Sequence, residues 1–440
     1  KAILRLLRES SRRSLVSPHA SLCHKAAMQK MEHSELYEQA GRQAAYRLLS
    51  NAEEQGFFSY GILTRQAWEQ IVEEQGTVQA DCREGKPLSL NSLRTSSPWT
   101  EQLKAESSPV MALKERYHLS DVGAMLVVAL RYAPDVEAEE AAARALRGLP
   151  PLPLARDGRP AARVARFARG NWYREILDRL RNCATATFGA IIKEGSAERL
   201  GLEAKPPQRW PRFVNSIFPE KALALAAGLG TIGRNGLLVA KKTNNSDIFD
   251  ALDFQEHLIA SDSSKPTTTN PPTWSSAVLI GLMLLPFDFD MLKLEKKDIF
   301  GGVAPSFFAV CGNCRLCIES CPSRALSFSS LPGFARHLCI QNYSSIDGNL
   351  PDFIEKSWAD QLYGCDLCLE ACTYFEPDQK AHTNRGRIGG FFDAESLADL
   401  SEEQIQALFK ASALDQKWIA PGALKRNAAI VIQKFHKLRN

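Results

Sequence analysis

Apolar and polar positions fall into blocks that predict a mixed helix-and-strand chain with no repeat of fixed period. Residues 34–56 read as a helix stopped at Gly56, followed by a short strand, Phe57-Phe58-Ser59-Tyr60-Gly61-Ile62. Ala124 to Tyr132 is a largely apolar run between Gly123 and Pro134, which suits a strand buried on both faces. The Glu- and Ala-rich stretch 135–148 predicts a helix, broken by the Pro-rich residues 149–160. A longer helix is expected over about 161–192, where Tyr173, Ile176, Leu177 and Leu180 recur at i, i+3, i+4, i+7. Ala222 to Ala227 predicts a short helix leading into Gly228-Leu229-Gly230-Thr231-Ile232-Gly233, and Gly236 to Ala240 a strand. Val278 to Leu285 reads as the next strand and residues 394–440 as helical. The polar, Ser-rich residues 80–108 read as loop, and 243–273 as an inserted surface loop.

The 440 residues suggest two or three domains at about 150 residues each. A composition 45% hydrophobic and 24% charged excludes wholesale disorder, a collagen-like chain and a coiled-coil rod. The net charge of +4 is too small to imply nucleic-acid binding, so any basic footprint must be local. The best apolar run, Val278 to Phe287, contains Pro286 and falls well short of the roughly 20 residues of a membrane span.

The first 30 residues carry Lys1, Arg5, Arg8, Arg12, Arg13, Lys25 and Lys30 against only Glu9. Ser11-Arg12-Arg13-Ser14-Leu15 has the paired arginines of an export signal, but Val16-Ser17-Pro18-His19-Ala20-Ser21 is no apolar core. An organellar transit peptide would share the basic, acid-poor character. The reading preferred over both is an unstructured basic extension over 1–38, or a start placed ahead of Met28 or Met31. Arg163, Arg166 and Arg169, and Lys425, Arg426, Lys434, Lys437 and Arg439, read as solvated helix faces. A phosphate-binding face is the sharper alternative.

Of 11 cysteines, eight lie between Cys311 and Cys372, while Cys23, Cys82 and Cys183 are scattered. Such crowding in a large chain points to metal chemistry in a reducing compartment, hence a cytoplasmic location, rather than to disulfides. Cys311-Gly-Asn-Cys314-Arg-Leu-Cys317-Ile-Glu-Ser-Cys321-Pro322 has the C-x2-C-x2-C-x3-C-P spacing of bacterial [4Fe–4S] proteins, whose fourth cysteine serves the neighbouring cluster. Cys365-Asp-Leu-Cys368-Leu-Glu-Ala-Cys372, with Cys339 upstream, supplies a second set, with Thr373 where a second Pro is customary. The pairing that follows places Cys311, Cys314, Cys317 and Cys372 on one cluster, and Cys339, Cys365, Cys368 and Cys321 on the other. Two four-cysteine zinc sites are the competing assignment, but zinc favours paired C-x2-C knuckles. Two adjacent cubes form an electron wire, which implies a redox centre at its end. Gly228-x-Gly230-x-x-Gly233 matches a dinucleotide fingerprint in letters only, because a helix precedes it and a strand follows.

From about residue 40 to 440 the chain resembles the epoxyqueuosine reductase family, cobalamin-dependent iron–sulfur enzymes distantly related to reductive dehalogenases. The resemblance is carried by Gly56 to Ile62, Phe167-Ala168-Arg169-Gly170 leading into Tyr173, Glu220-Lys221, and Ala227 to Leu238. Both cysteine motifs with Leu362-Tyr363-Gly364-Cys365-Asp366 add to it, as does Leu424-Lys425-Arg426-Asn427-Ala428-Ala429. It implies an α+β chain: a nitroreductase-like cobalamin domain over 39–304, a ferredoxin-like two-cluster domain over 305–378 and a helical tail over 379–440. It also implies electrons passing from a donor such as a flavodoxin or ferredoxin through the clusters to cobalt. Epoxyqueuosine in tRNA would then be reduced to queuosine. Cobalamin-binding positions carried over are Asn215, Gly230, Leu238, Gln341 and Asp366.

The substrate side departs from the family. Asn215 stands where the family has a proton-donating Asp, and an amide cannot act as a general acid near neutral pH. Ser216 and Tyr173 are then the candidate catalytic groups, acting through water. Trp172-Tyr173-Arg174 replaces Asp-Tyr-His, and Ile340-Gln341-Asn342-Tyr343 stands where a small hydroxyl residue is usual. These departures keep two alternatives open: a reductase of a different small substrate, dehalogenation included, and a non-catalytic [4Fe–4S] electron-transfer protein.

Overall fold

The computed structural model describes residues 18–81, 108–119, 122–202, 206–243, 273–289, 308–326 and 334–439. Most of the expected loop at 80–108 and of the insert at 243–273 lies outside these residues. Among them are ten strands: β1 (Ser59–Leu63), β2 (Met125–Arg131), β3 (Ala161–Val164), β4 (Arg212–Val214), β5 (Gly230–Ile232), β6 (Leu238–Lys241), β7 (Trp274–Ser275), β8 (Val278–Leu284), β9 (Gln361–Tyr363) and β10 (Phe391–Asp393).

Helix α1 (Pro18–Glu54) begins inside the segment read as an unstructured extension. Ala26, Ala27, Met28, Gln29, Lys30 and Met31 favour helix and continue it back toward Pro18, whose fixed φ suits a first turn. Its far end is where the sequence places it, with Gly56 at φ 73° just beyond.

β1, β2, β8 and β4 form an antiparallel sheet in the order β1-β2-β8-β4. β2 is flanked by strands on both sides and covered on both faces, as its apolar run foretells. Leu126 and Val128 join Trp172, Ile176 and Leu180 of helix α2 (Trp172–Lys193) on one face. Met125 and Val127 join Leu223 and Leu225 of helix α3 (Glu220–Ala226) on the other.

Two helical expectations shrink. In 135–148 only Ala141–Ala145 is helical. Residues 161–164 are β3, because that segment is captured between β10 and β9; α2 starts only at Trp172, capped by Asn171, whose side chain accepts from the Arg174 N–H at 3.1 Å.

The glycine string forms a hairpin rather than a nucleotide loop: α3 precedes it, and β5 pairs antiparallel with β6. Glycine is required there by close approach. A Cβ on Gly230 would sit 2.1 Å from the Val239 carbonyl oxygen, and one on Gly61 would sit 2.2 Å from that of Ala227. Gly230→Ala is expected to cost about 3 kcal/mol, read as a lowered denaturation midpoint. An unchanged midpoint would show that the hairpin can separate freely.

The third sheet, β10-β3-β9, draws one strand from each of the three expected domains. One core contains Ala162, Val164, Leu362, Phe392, Ile388 and Leu424, so the segments 39–304, 305–378 and 379–440 share packing rather than standing apart.

The arginines at 163, 166 and 169 form no helix face and no free phosphate site. Arg163 and Arg166 pair with Glu370, at 3.2 and 2.9 Å. Arg166 and Arg169 both pair with Asp135, and Arg169 is buried. In the tail, Lys425, Arg426, Lys434 and Arg439 donate to backbone carbonyls of Leu400, Tyr343, Lys356 and Gly158, respectively. The charge pattern is real, but most of it serves internal attachment.

Candidate metal centres and the adjoining cleft

The eight clustered cysteines sort into two groups. Cys311, Cys314, Cys317 and Cys372 line one cavity, together with Gly233, Arg234, Asn235, Thr373 and Tyr374. The turn between β5 and β6 frames it: Arg234 donates to the Gly312 carbonyl at 2.7 Å, and its guanidinium lies 5.0 Å from the Phe308 ring centre. Tyr374 donates through its hydroxyl to the Val310 carbonyl at 3.1 Å. In the second group, Cys339 feels the charge of Cys321, Cys365 that of Cys339, and Cys368 those of Cys365, Cys339, Cys321 and, more weakly, Cys317 of the first group.

Each group therefore draws members from both motifs. The short helices α4 (Leu316–Glu319) and α5 (Ile340–Tyr343), together with α6 (Leu367–Glu370), hold the loops. Ser320 on the first motif donates to the Leu367 carbonyl on the second at 3.2 Å, which ties the crossed ligands together.

Burial and neighbouring thiols push Cys317 up to about 11. Burial, with added charge from Cys339 and Asp366, pushes Cys365 up to about 12. Such thiols lose their protons readily only when positive metal charge arrives, which iron supplies. Among the described residues, no three His, Cys, Asp or Glu side chains converge tightly enough to hold a single metal ion. The four thiols that line one cavity, Cys311, Cys314, Cys317 and Cys372, have room for a multi-atom cluster between them. Arg336 donates through Nε to the Asn342 side-chain oxygen at 2.8 Å. Its Nη1 is buried with no partner, and the guanidinium lies beside Cys339. A donor so placed fits the negative charge of a bound cluster.

The tail completes the second group. Asn427, on helix α7 (Pro421–Arg439), is fully buried and donates to the carbonyls of Ser344 at 3.0 Å and Leu362 at 2.8 Å. Those carbonyls follow Cys339 and precede Cys365. Arg426 adds bonds to Tyr343, Ile346 and Gly348.

A set of polar side chains adjoins this second group: Lys221 lies near Cys368 and Cys339, and the Gln341 backbone donates to Cys339. Tyr173, Asn215, Ser216, Glu220, Lys221 and Gln341 are each half-buried. Asn215 follows β4 with φ 51°, a left-handed turn that Asn tolerates. The turn presents donors to Glu220: the Ser216 N–H at 2.7 Å, the Ser216 hydroxyl at 3.0 Å and the Asn215 N–H. Burial of its carboxyl end pushes Glu220 up to about 7. Burial likewise lowers Lys221 to about 8; its Nζ donates to the Gly236 carbonyl at 2.6 Å, and it feels Cys368 and Cys339. Tyr173 is raised by burial and by the neighbouring Tyr363 and Glu220.

The residues assigned by motif thus divide. Tyr173, Asn215 and Ser216 gather around Glu220, and the Gln341 backbone donates to Cys339. Gly230 and Leu238 pair within the β5–β6 hairpin and are buried. Asp366 is buried and accepts from the Arg166 N–H at 2.7 Å, so its side chain holds the loop before Cys368. Glu220 and Lys221 were visible as a motif but without a role, because their perturbation depends on burial. Asn427 is likewise visible only as part of the tail motif, and Arg336 carries no signal in the sequence.

The 4Fe-4S double cluster binding domain family matches residues 310–374. An epoxyqueuosine reductase of Synechocystis sp. is 25% identical over 294 residues, covering 64% of this chain and 79% of that protein. Among solved structures, epoxyqueuosine reductase from Streptococcus thermophilus superposes with a TM-score of 0.52 at 15% identity, covering 88% of this chain and 80% of that one. An epoxyqueuosine reductase bound to an epoxyqueuosine-modified tRNA-Tyr stem loop gives 0.51 at 16% identity, with the same coverage. The resemblance carried by the motifs therefore extends to the fold over most of the chain.

Proposed function

We propose that this chain is an iron–sulfur, cobalamin-dependent reductase that converts epoxyqueuosine to queuosine in tRNA. The observation that carries the reading is the succession of two crossed thiol groups with half-buried polar side chains beside the second. The thiols would hold two [4Fe–4S] clusters, and Lys221, near Cys368 and Cys339, places the second of them on the side of the polar residues. A corrinoid presents many amide groups, and the half-buried polar side chains of Asn215, Ser216, Gln341 and Tyr173 offer matching partners. When bound, cobalamin supplies a strongly reducing centre.

The protein's own residues orient the substrate and move protons. Tyr173 stays neutral, Lys221 is anchored on the hairpin, and Glu220 is the carboxyl among these residues. In the same reading the first segment is nitroreductase-like and the cysteine segment ferredoxin-like. A small one-electron carrier such as a flavodoxin or ferredoxin reduces the clusters in the cytoplasm. Among the described residues no helix is long and apolar enough to cross a membrane.

Asn215 favours a second reading, a related reductase with a different small substrate, since its amide supplies no acid. The experiment is anaerobic purification with reconstitution, followed by metal quantification and assay. About eight irons, the count for two cubes, and one corrinoid per chain are expected, with conversion of epoxyqueuosine-tRNA and tRNA binding that weakens with salt. Full loading without tRNA binding or conversion would support the second reading. Iron without corrinoid would leave an electron-transfer role.

A further inference from the structure

Beside the second thiol group stands a carboxyl, Glu220, whose surroundings go beyond what packing needs. Glu220 opens helix α3 and points back at the Asn215–Ser216 turn. Three donors converge on it: the Asn215 N–H, the Ser216 N–H at 2.7 Å and the Ser216 hydroxyl at 3.0 Å. The left-handed backbone at Asn215 turns successive N–H groups toward one spot, a receptacle for negative charge. The other groups facing Glu220 are Lys221, Tyr173 and Tyr117.

We propose that Glu220 is the proton reservoir of the reduction, delivering through the Ser216 hydroxyl to the substrate, with the Asn215–Ser216 turn stabilising the carboxylate left behind. This rests on the reductase reading above. Ser216 is suited to the relay because a hydroxyl accepts one proton as it gives up another.

The balance is simple. Removing the epoxide oxygen breaks two C–O bonds, forms the alkene π bond and releases water, consuming two electrons and two protons. The electrons come from the one-electron carrier protein through the clusters. Glu220 supplies one proton to the departing oxygen by way of Ser216, and solvent supplies the other and later reprotonates Glu220. Burial places the carboxyl's titration at about 7, so the protonated donor is present below that pH and is lost above it. Tyr173 is too weak an acid, and the Lys221 ammonium is engaged by the Gly236 carbonyl at 2.6 Å.

The test compares single-turnover reduction of epoxyqueuosine-tRNA by loaded wild type, Glu220→Gln and Ser216→Ala across pH, with cluster and corrinoid spectra recorded for each. Wild type should lose rate above about pH 7. Glu220→Gln keeps an acceptor for the turn's N–H groups, and should lose about 100-fold with a flat profile and unchanged spectra. Asn215→Asp placed in the Glu220→Gln protein should restore rate by putting a carboxyl directly on the turn. In the protein without tRNA, a protonated-carboxyl infrared band titrating near the same pH should vanish in Glu220→Gln. Glu220→Gln turning over at the wild-type rate with the wild-type profile would overturn the relay alone. A fully loaded wild type that converts no epoxyqueuosine-tRNA would overturn the epoxyqueuosine reading, and this inference with it.

Discussion

Cys372→Ser should abolish the cluster nucleated by Cys311, Cys314 and Cys317, although Cys372 lies 55 to 61 residues beyond them in the other motif. The four line one cavity, and a cube needs all four thiolates for full-strength binding. Iron should fall from about eight to about four per chain, and substrate turnover should drop below detection because the electron path is cut. The crossed arrangement makes a sharper statement in pairs. Cys311→Ser with Cys372→Ser removes two ligands of one cluster and should again leave about four irons. Cys365→Ser with Cys372→Ser strikes both clusters and should leave almost none. If each motif held its own cluster, the two pairs would exchange outcomes. Cys321→Ser provides the mirror test on the second cluster, where Cys368 feels Cys365, Cys339 and Cys321.

What the sequence reveals depends on the range over which its physics acts. The cysteine spacing is legible because cluster ligation is written into short intervals; Cys311, Cys314, Cys317 and Cys372 line one cavity. β2 is legible because burial on both faces demands an apolar residue at nearly every position. β3 is not, because four residues gain strand geometry only from Gln361 to Tyr363 and Phe391 to Asp393, roughly 200 residues away. The arginine triplet illustrates the same limit: its charges are plain, but Glu370 and Asp135 are found only once the chain is folded. Glu220 is the most consequential case. A Glu opening a helix is ordinary for its favourable dipole interaction, and only burial beneath the Asn215–Ser216 turn makes it an acid for neutral pH.

The tail motif extends this argument to stability. Asn427 donates both amide hydrogens to carbonyls of the loops that carry Cys339 and Cys365, and accepts from Arg426 at 2.8 Å. Asn427→Ala strips two buried carbonyls of their donor, at about 1–3 kcal/mol each. The expected loss is about 4 kcal/mol in total, seen as a lower denaturation midpoint. Asn427→Asp keeps the shape but aims an acceptor at the carbonyls of Ser344 and Leu362. At neutral pH it should therefore destabilise more than alanine, with part of the loss recovered in acid as the carboxyl gains a donor proton. The harm should fall unevenly on the clusters. The cluster of Cys321, Cys339, Cys365 and Cys368 should be lost or become oxygen-labile, while that of Cys311, Cys314, Cys317 and Cys372 persists. Equal loss of both would mean that α7 supports the cysteine segment as a whole. Selective loss would identify the C-terminal helix as a clamp on the one cluster that borders the polar side chains, and would explain why a motif so far along the chain accompanies the cysteines.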